Sequence, residues 1–465
     1  MSAAASKLGY GIPRDTSVVV NRTTKTYQFL HSTYQPGDIA TCTFPTGTDY
    51  VDTHRSFLVF EFNNEDDAKS PEEMLFGVHG SACNVIRDIA VYARSGEELC
   101  RIEDFNLLQN MVLPLKYDRD WFTHQGGGMW YGDRIYANSQ SCLIPMYILS
   151  PLFNTRRLLP AALVSGMRIE ITLDDAAKVT YGYDTQAIQP VDATNYSISS
   201  ARFGLETVKL SDGIRRAMDE IISTNGIELV YTGWHHEWLE PGHGMIGETN
   251  MTIKGTFARA LRAFARLRPR ENGTELNSIH PEGQRDSFRG ECVYPYNKHQ
   301  WRLGERYYPD TPFLFTRPVL ESYTHVLNAY QRFSGHTKRA SLPLLRDNSL
   351  DGISDAVMRG DQSSGESLLY PGIMASTVGH LGSYFKDSHV LGLDITRDDN
   401  NGISGRPINN VEPLTLSFSA RSFSFELLYN SLDTLVTGTV LRRMDVFLEY
   451  VKLVRVFTDN VEVEK

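Results

Sequence analysis

The chain has 465 residues, of which 41% are hydrophobic, 11% aromatic and 22% charged. It is too long for one hydrophobic core, which stops growing near about 250–300 residues, and too apolar for general disorder. Its formal charge of −10 opposes wholesale wrapping of nucleic acid, because phosphates are repelled unless a local basic patch offsets the excess.

Residues 1–26, small and polar through Lys7, have the composition of an N-terminal arm, and no apolar run in residues 1–20 resembles a secretory signal. The first strong strand signal is Phe57-Leu-Val-Phe-Glu-Phe62, followed by an acidic loop from Asn63 to Asp67. Val85 to Tyr92 reads as a further strand. Glu98 to Met111 sets Leu99, Ile102, Leu107, Leu108 and Met111 at helical intervals and predicts a helix. Met167 to Leu173 is again strand-like. Ser211 to Ile222 predicts a short helix, with Ser211 or Asp212 as its cap and Ile214, Met218 and Ile221/Ile222 on one face. The turn signal Thr224-Asn-Gly226 follows near the midpoint.

In the second half, strands are predicted at Ile227 to Thr232, Leu261 to Leu267, Val390 to Ile395, Leu414 to Phe418, Phe423 to Leu428 and Val446 to Phe457. Strands joined by long loops, with no βαβ alternation, predict sandwich or jelly-roll packing over a parallel α/β sheet. The expected organisation is mainly β: an arm over 1–26, a first sandwich over 27–222, a second over 223–457 and a tail over 458–465.

The five cysteines, Cys42, Cys83, Cys100, Cys142 and Cys292, are scattered and lack a C-x-x-C pair. That pattern opposes a disulfide framework or zinc cluster and suits a reducing compartment. No apolar run reaches the roughly 18 residues of a membrane span. Gly126-Gly-Gly128 lacks the strand and helix context of a phosphate cradle and reads as a loop. His235-His236-Glu237 invites a metal reading, but neighbours on a strand point to opposite faces, so a packed segment with Trp234 and Trp238 is expected. Asp398-Asp-Asn-Asn-Gly402 puts Arg397 where a calcium loop needs an acid, and reads as a turn.

Arg259, Arg262, Arg266, Arg268 and Arg270 form the one basic cluster. On a strand Arg262, Arg266 and Arg268 share a face with Phe264, and they are the candidates for nucleic-acid or intersubunit contact; a solvated sheet face or intersubunit salt bridges are the plainer reading. No G-x-S-x-G elbow or protease-like Cys/His context is present, so no catalytic residue, cofactor or metal ligand is assigned. A sugar-binding sandwich is the competing class, with Trp121, Trp130, Trp234, Trp238 and Trp301 as stacking candidates, but no pair of acids is marked out.

Several segments together resemble the double jelly-roll major capsid proteins of double-stranded DNA viruses, of the polinton-like virus, adintovirus and virophage type. They are Tyr50 to Phe62, Ile86 to Gly96 with Ile102 to Leu108, Leu158-Leu-Pro160 to Leu173, and Tyr196 to Leu210. In the second half they are Gln300 to Pro309, a helix over Pro318 to Phe333, Gly392 to Ile395, Ser404-Gly405, Leu414 to Phe418 and Met444 to Val451. The resemblance implies two tandem eight-stranded jelly rolls with short helices in long loops. It further implies a homotrimeric, pseudo-hexagonal capsomer tiling an icosahedral shell around double-stranded DNA. The implied partners are further copies of the chain and penton and minor or cement proteins, with no sequence-specific DNA binding, and the implied location is the virion.

Overall fold

The structure, a computed structural model, describes residues 19–269, 296–314, 390–420 and 442–464, less residues 46, 66–73, 76–80, 118–120, 122–123, 131–133, 136–138, 180, 185–188, 193–194, 241–246, 400–401 and 459. Its frame in the first half is β1 (Val19–Gln28), β2 (Ile39–Thr43), β3 (Tyr50–Asn64), β4 (Ile86–Tyr92), β5 (Glu98–Ile102), β6 (Ser139–Pro145), β7 (Arg168–Leu173) and β8 (Tyr196–Leu210). In the second it is β9 (Ile227–Leu239), β10 (Gly247–Thr252), β11 (Phe257–Pro269), β12 (Tyr296–Leu303), β13 (Arg306–Leu314), β14 (Leu391–Asp394), β15 (Leu414–Ala420) and β16 (Arg442–Val456). Two longer helices, α1 (Phe105–Lys116) and α2 (Asp212–Thr224), lie between strands.

The first half pairs β1-β8-β3-β6 in one sheet and β2-β7-β4-β5 in the other, and the second half pairs β9-β16-β11-β14 and β10-β15-β12-β13. Numbered within its own half, each set of eight strands therefore has the same two orders, 1-8-3-6 and 2-7-4-5. With every one of these ladders antiparallel, this is the wrapped topology of an eight-stranded jelly roll. The chain builds that topology twice.

Alternation explains why these segments are strands. On β3, Ser56, Leu58, Phe60 and Phe62 turn inward while Phe57, Val59 and Glu61 are more exposed, the period-two pattern of a half-buried strand. Opposite them β8 supplies Tyr196, Ile198, Phe203 and Leu205. The rings of Phe62 and Tyr196 stack at 5.2 Å and those of Phe29 and Phe203 at 5.3 Å. Gly204 faces Phe57 across the ladder, and a Cβ there would lie 2.5 Å from the Phe57 ring. The core of the second roll is formed by Trp301, Leu416, Phe418, Met444, Val446, Leu448, Ala263 and Ala265.

Gly405 packs so closely on β11 that an added Cβ would lie 2.6 Å from the Ala260 carbonyl oxygen. Backbone cannot swing aside as a side chain can, so Gly405→Ala is expected to cost about 1–3 kcal/mol. A urea-midpoint shift of the purified variant measures it, and an unchanged midpoint contradicts the packing described.

Several expectations are revised. The predicted helix over Glu98 to Met111 is a strand to Ile102 and a helix only from Phe105, because β5 gains ladder bonds from β4. The expected arm over 1–26 yields residues from Val19 onward to β1, which lies along β8. Val461–Glu464, in the expected tail, pairs with β16. Helix α2 runs to Thr224, past the expected boundary at 222; its Ser211 makes no side-chain cap bond, and Met218 and Ile222 are its buried residues. The helix expected over Pro318 to Phe333 and the strand over Phe423 to Leu428 lie outside the described residues. Among those described, no helix is long and apolar enough to cross a membrane.

Cys42, Cys83, Cys100 and Cys142 are free and buried. Loss of water pushes the thiols of Cys42 and Cys83 up to about 12 and raises those of Cys100 and Cys142 as well, which suppresses the reactive thiolate. These four are expected to resist a thiol reagent at neutral pH until denaturant is added. Rapid labelling of the native chain at any of them, read by peptide mass, contradicts this.

Candidate functional site: a charged seam between the two rolls

One face of the β9-β16-β11 sheet covers the core of its own roll, and the other meets the first roll. Register defines that second face. Trp234, Glu449 and Arg262 form one row, His236, Phe447 and Phe264 the next, and Trp238, Asp445 and Arg266 the third. Further along the same unshifted ladder, and with the opposite parity, Tyr231 and Lys452, Leu229 and Val454, and Ile227 and Val456 are buried as well. Phe264, Phe447, Val454, Val456, Leu229 and Tyr231 join the same apolar cluster as Leu99, Phe105 and Leu149 of the first roll. A sheet buried on both faces is therefore built from a sequence that alternates apolar with charged residues.

The buried charges of Arg262, Glu449 and Lys452 each have a polar partner. Arg262, 2% exposed, donates through Nη1 to Glu449 Oε2 at 3.2 Å. Loss of water pushes the Glu449 carboxyl above its usual range, and the Arg262 guanidinium pulls the other way. Lys452 Nζ donates to the Leu99 carbonyl at 2.7 Å, and the Tyr231 hydroxyl donates to the same oxygen. Leu99 sits at a register shift on β5, the edge strand of its sheet, where a carbonyl would otherwise be left without a ladder bond. The second roll thus completes the edge of the first.

At one end of the seam, Arg443 donates to Asp104 Oδ2 through Nη2 and to Asp445 Oδ1 through Nε, each at 2.8 Å. His236 lies 3.3 Å from Asp104 through Nδ1 and 3.0 Å from Asp445 through Nε2. Its ring stacks on Phe447 at 4.3 Å, and the Arg443 guanidinium covers the Trp238 ring at 4.8 Å.

Lys116, at the C-terminal end of α1, lies at the half-buried rim. Loss of water lowers its ammonium to about 8; Glu449 opposes that shift, and Arg156 and Arg262 add to it. The folded chain then holds this proton less tightly than the unfolded chain. The contribution of Lys116 to stability is accordingly lowest below about 8 and rises towards the ordinary 10.5. Comparing wild type with Lys116→Met across that range is expected to show the difference moving in favour of wild type as pH rises. A flat difference contradicts the placement.

The sequence candidates fall into place around this seam. Arg262 and Arg266, expected on an outward face for nucleic acid or a neighbouring subunit, are 2% and 3% exposed. The cause is that the first roll covers this face. Arg268 pairs with Arg443 in the backbone ladder. His235 turns from His236 and sits 3.3 Å from Glu237, as strand geometry requires. Gly126 and Gly128 press against Trp121 and Leu143, which is a packing use of small residues. Trp301 and Trp234 are buried, and Trp121 and Trp130 pack against the first core. Trp238, 53% exposed, lies under Arg443. Asp398, Asp399 and Gly402 belong to two short paired strands, Arg397–Asp399 and Gly402–Ser404, and residues 400–401 lie outside the described residues.

Two jelly rolls of identical strand order, joined through a buried sheet face, define the double jelly-roll class. No protein-family model matches the chain, and no curated protein matches it. Solved structures do. The PBCV-1 virus capsid structure aligns with a TM-score of 0.58 at 9% identity, covering 98% of this chain and 99% of that one. The Faustovirus major capsid protein aligns at 0.55 and 5% identity, covering 97% and 92%, and the mavirus major capsid protein at 0.50 and 10%, covering 98% and 92%. The chain has the double jelly-roll fold of these viral major capsid proteins, as its sequence resemblance implies.

Proposed function

We propose that the chain is a structural, non-enzymatic major capsid protein, whose homotrimers form pseudo-hexagonal capsomers that tile an icosahedral shell around double-stranded DNA. The observation that carries this is the likeness to viral capsid structures across both rolls together, over 98% of the chain in the PBCV-1 case. Physical reasons support the role. Two sandwiches packed side by side make a rigid block, and segments that connect strands can vary to supply contact surfaces without disturbing the sheets. A closed threefold ring limits its own growth, and weaker contacts between rings allow correctable assembly.

In this proposal the partners are further copies of the chain and penton and minor or cement proteins, and the protein resides in the virion after assembly inside the host cell. With Arg262 and Arg266 buried in the seam, Arg268 is the remaining one of the three candidates for intersubunit or nucleic-acid contact. Negative-stain images of purified protein are expected to show pseudo-hexagonal particles. Single-lobed or two-lobed particles at high concentration, together with retention on a carbohydrate matrix, would support the sugar-binding class instead.

A further inference from the structure

We propose that the outer face of β1, β8 and β3 around Phe57 is a docking surface for a second copy of the chain, which seats its β13 edge there as β5 is seated on the β9-β16-β11 face in the seam. The seam is heterologous: the edge at strand 5 of one roll meets strands 1 and 8 of the other, through Leu99, Tyr231 and Lys452. Both rolls have the same strand order, so one seam within the chain uses one such edge and one such face. The counterpart face on the first roll and the counterpart edge on the second are left over. The inference rests on the capsomer reading above and assigns the surfaces through which copies would meet.

Residues repeat along with the strands. Phe57 of β3 lies opposite Gly204 of β8, as Phe264 of β11 lies opposite Phe447 of β16. Two positions before each phenylalanine stands an arginine, Arg55 and Arg262, and two positions after each partner stands a glutamate, Glu206 and Glu449. Both ladders shift register on this side of the phenylalanine. In the second roll the arginine, phenylalanine and glutamate are buried. In the first, Arg55 is exposed and Phe57 and Glu206 are half-buried. Beside them β1 is mostly exposed. On the other side, β6 is covered within the chain, since a Cβ at Gly128 would lie 2.7 Å from Leu143. The open part of this face is therefore strands 1, 8 and 3, the same three that form the seam in the second roll.

The left-over edge has matching properties. β13 is the edge strand of its sheet, and Arg306, Tyr307 and the run from Asp310 to Pro312 on it are exposed. An open edge ordinarily invites pairing with another chain. Its counterpart β5 is closed off, because Tyr231 and Lys452 take up the Leu99 carbonyl. Tyr307, 47% exposed, offers an apolar ring with a polar tip, the kind of side chain that anchors interfaces. A head-to-tail contact of this type repeats from copy to copy and closes into a ring when its rotation allows.

Light scattering on full-length chains carrying Phe57→Glu or Tyr307→Glu tests this. A charge inside such a contact is expected to weaken association by about a hundredfold, so each variant alone should fall from the wild-type mass to one chain mass, with its circular dichroism unchanged. Mixed at high concentration, the two variants should give two-chain particles and nothing larger. The intact β13 of the Phe57→Glu copy still fits the intact face of the Tyr307→Glu copy, and neither can extend the contact. Arg55→Glu, at an exposed position, takes the place of Phe57→Glu with the same expected results where the latter does not fold. A folded variant that keeps the wild-type mass overturns the proposal and leaves the capsomer reading standing, as does a mixture that stays at one chain mass. Wild type at one chain mass at every concentration overturns both.

Discussion

Glu449→Leu is expected to destabilise the chain by about 3–5 kcal/mol, the cost of leaving a buried charge without its partner. Glu449 is wholly buried and Arg262 is 2% exposed, so the guanidinium cannot turn to water without opening the seam. Exposed ion pairs behave differently and are worth about 0–1 kcal/mol, which makes the size of the loss diagnostic. Adding Arg262→Met to Glu449→Leu should recover most of it, because apolar groups of similar volume replace a buried pair at little cost. Urea unfolding of wild type, single and double variants measures both quantities. A single-variant loss under about 1 kcal/mol would place Arg262 in solvent instead.

Phe447→Ala is expected to cost a similar amount, about 3–5 kcal/mol, as for other buried aromatic truncations. Phe447 is fully buried in the centre of the seam, stacked on His236 and level with Phe264. Its neighbours belong to both rolls, so the cavity weakens their union more than either sandwich. Calorimetry should therefore show a lower first transition and a wider separation between the unfolding of the two halves. A uniform shift of one sharp transition would mean that Phe447 serves the core of the second roll alone.

Much of the fold is legible in the sequence because alternation on strands is a local property. Phe57 to Phe62 and Val446 to Val456 declare themselves without knowledge of their partners. The Glu98 to Ile102 segment does not, since Leu99 and Ile102 are spaced as on a helix; pairing with β4, made non-locally, decides the matter.

The seam is less legible for a physical reason. Arg262, Arg266, Asp445, Glu449 and Lys452 alternate with apolar residues as solvent-facing positions do. Only the arrival of the first roll over this face turns them into buried partners. His236 is readable as a strand residue that cannot share a metal with His235, but Asp104, its partner in the first roll, is 132 positions away in the chain. No local pattern links the two. The charge alternation along Met444 to Val456, in a strand that the structure places inside its sheet, is the signal that could have pointed to a second buried face.

Light scattering coupled to size exclusion on the full-length protein bears most directly on the proposed assembly role. Three times the chain mass of 52.5 kDa, constant across the elution peak and on dilution, is the expected result. One chain mass at every concentration tried would contradict a subunit shaped to close into threefold rings.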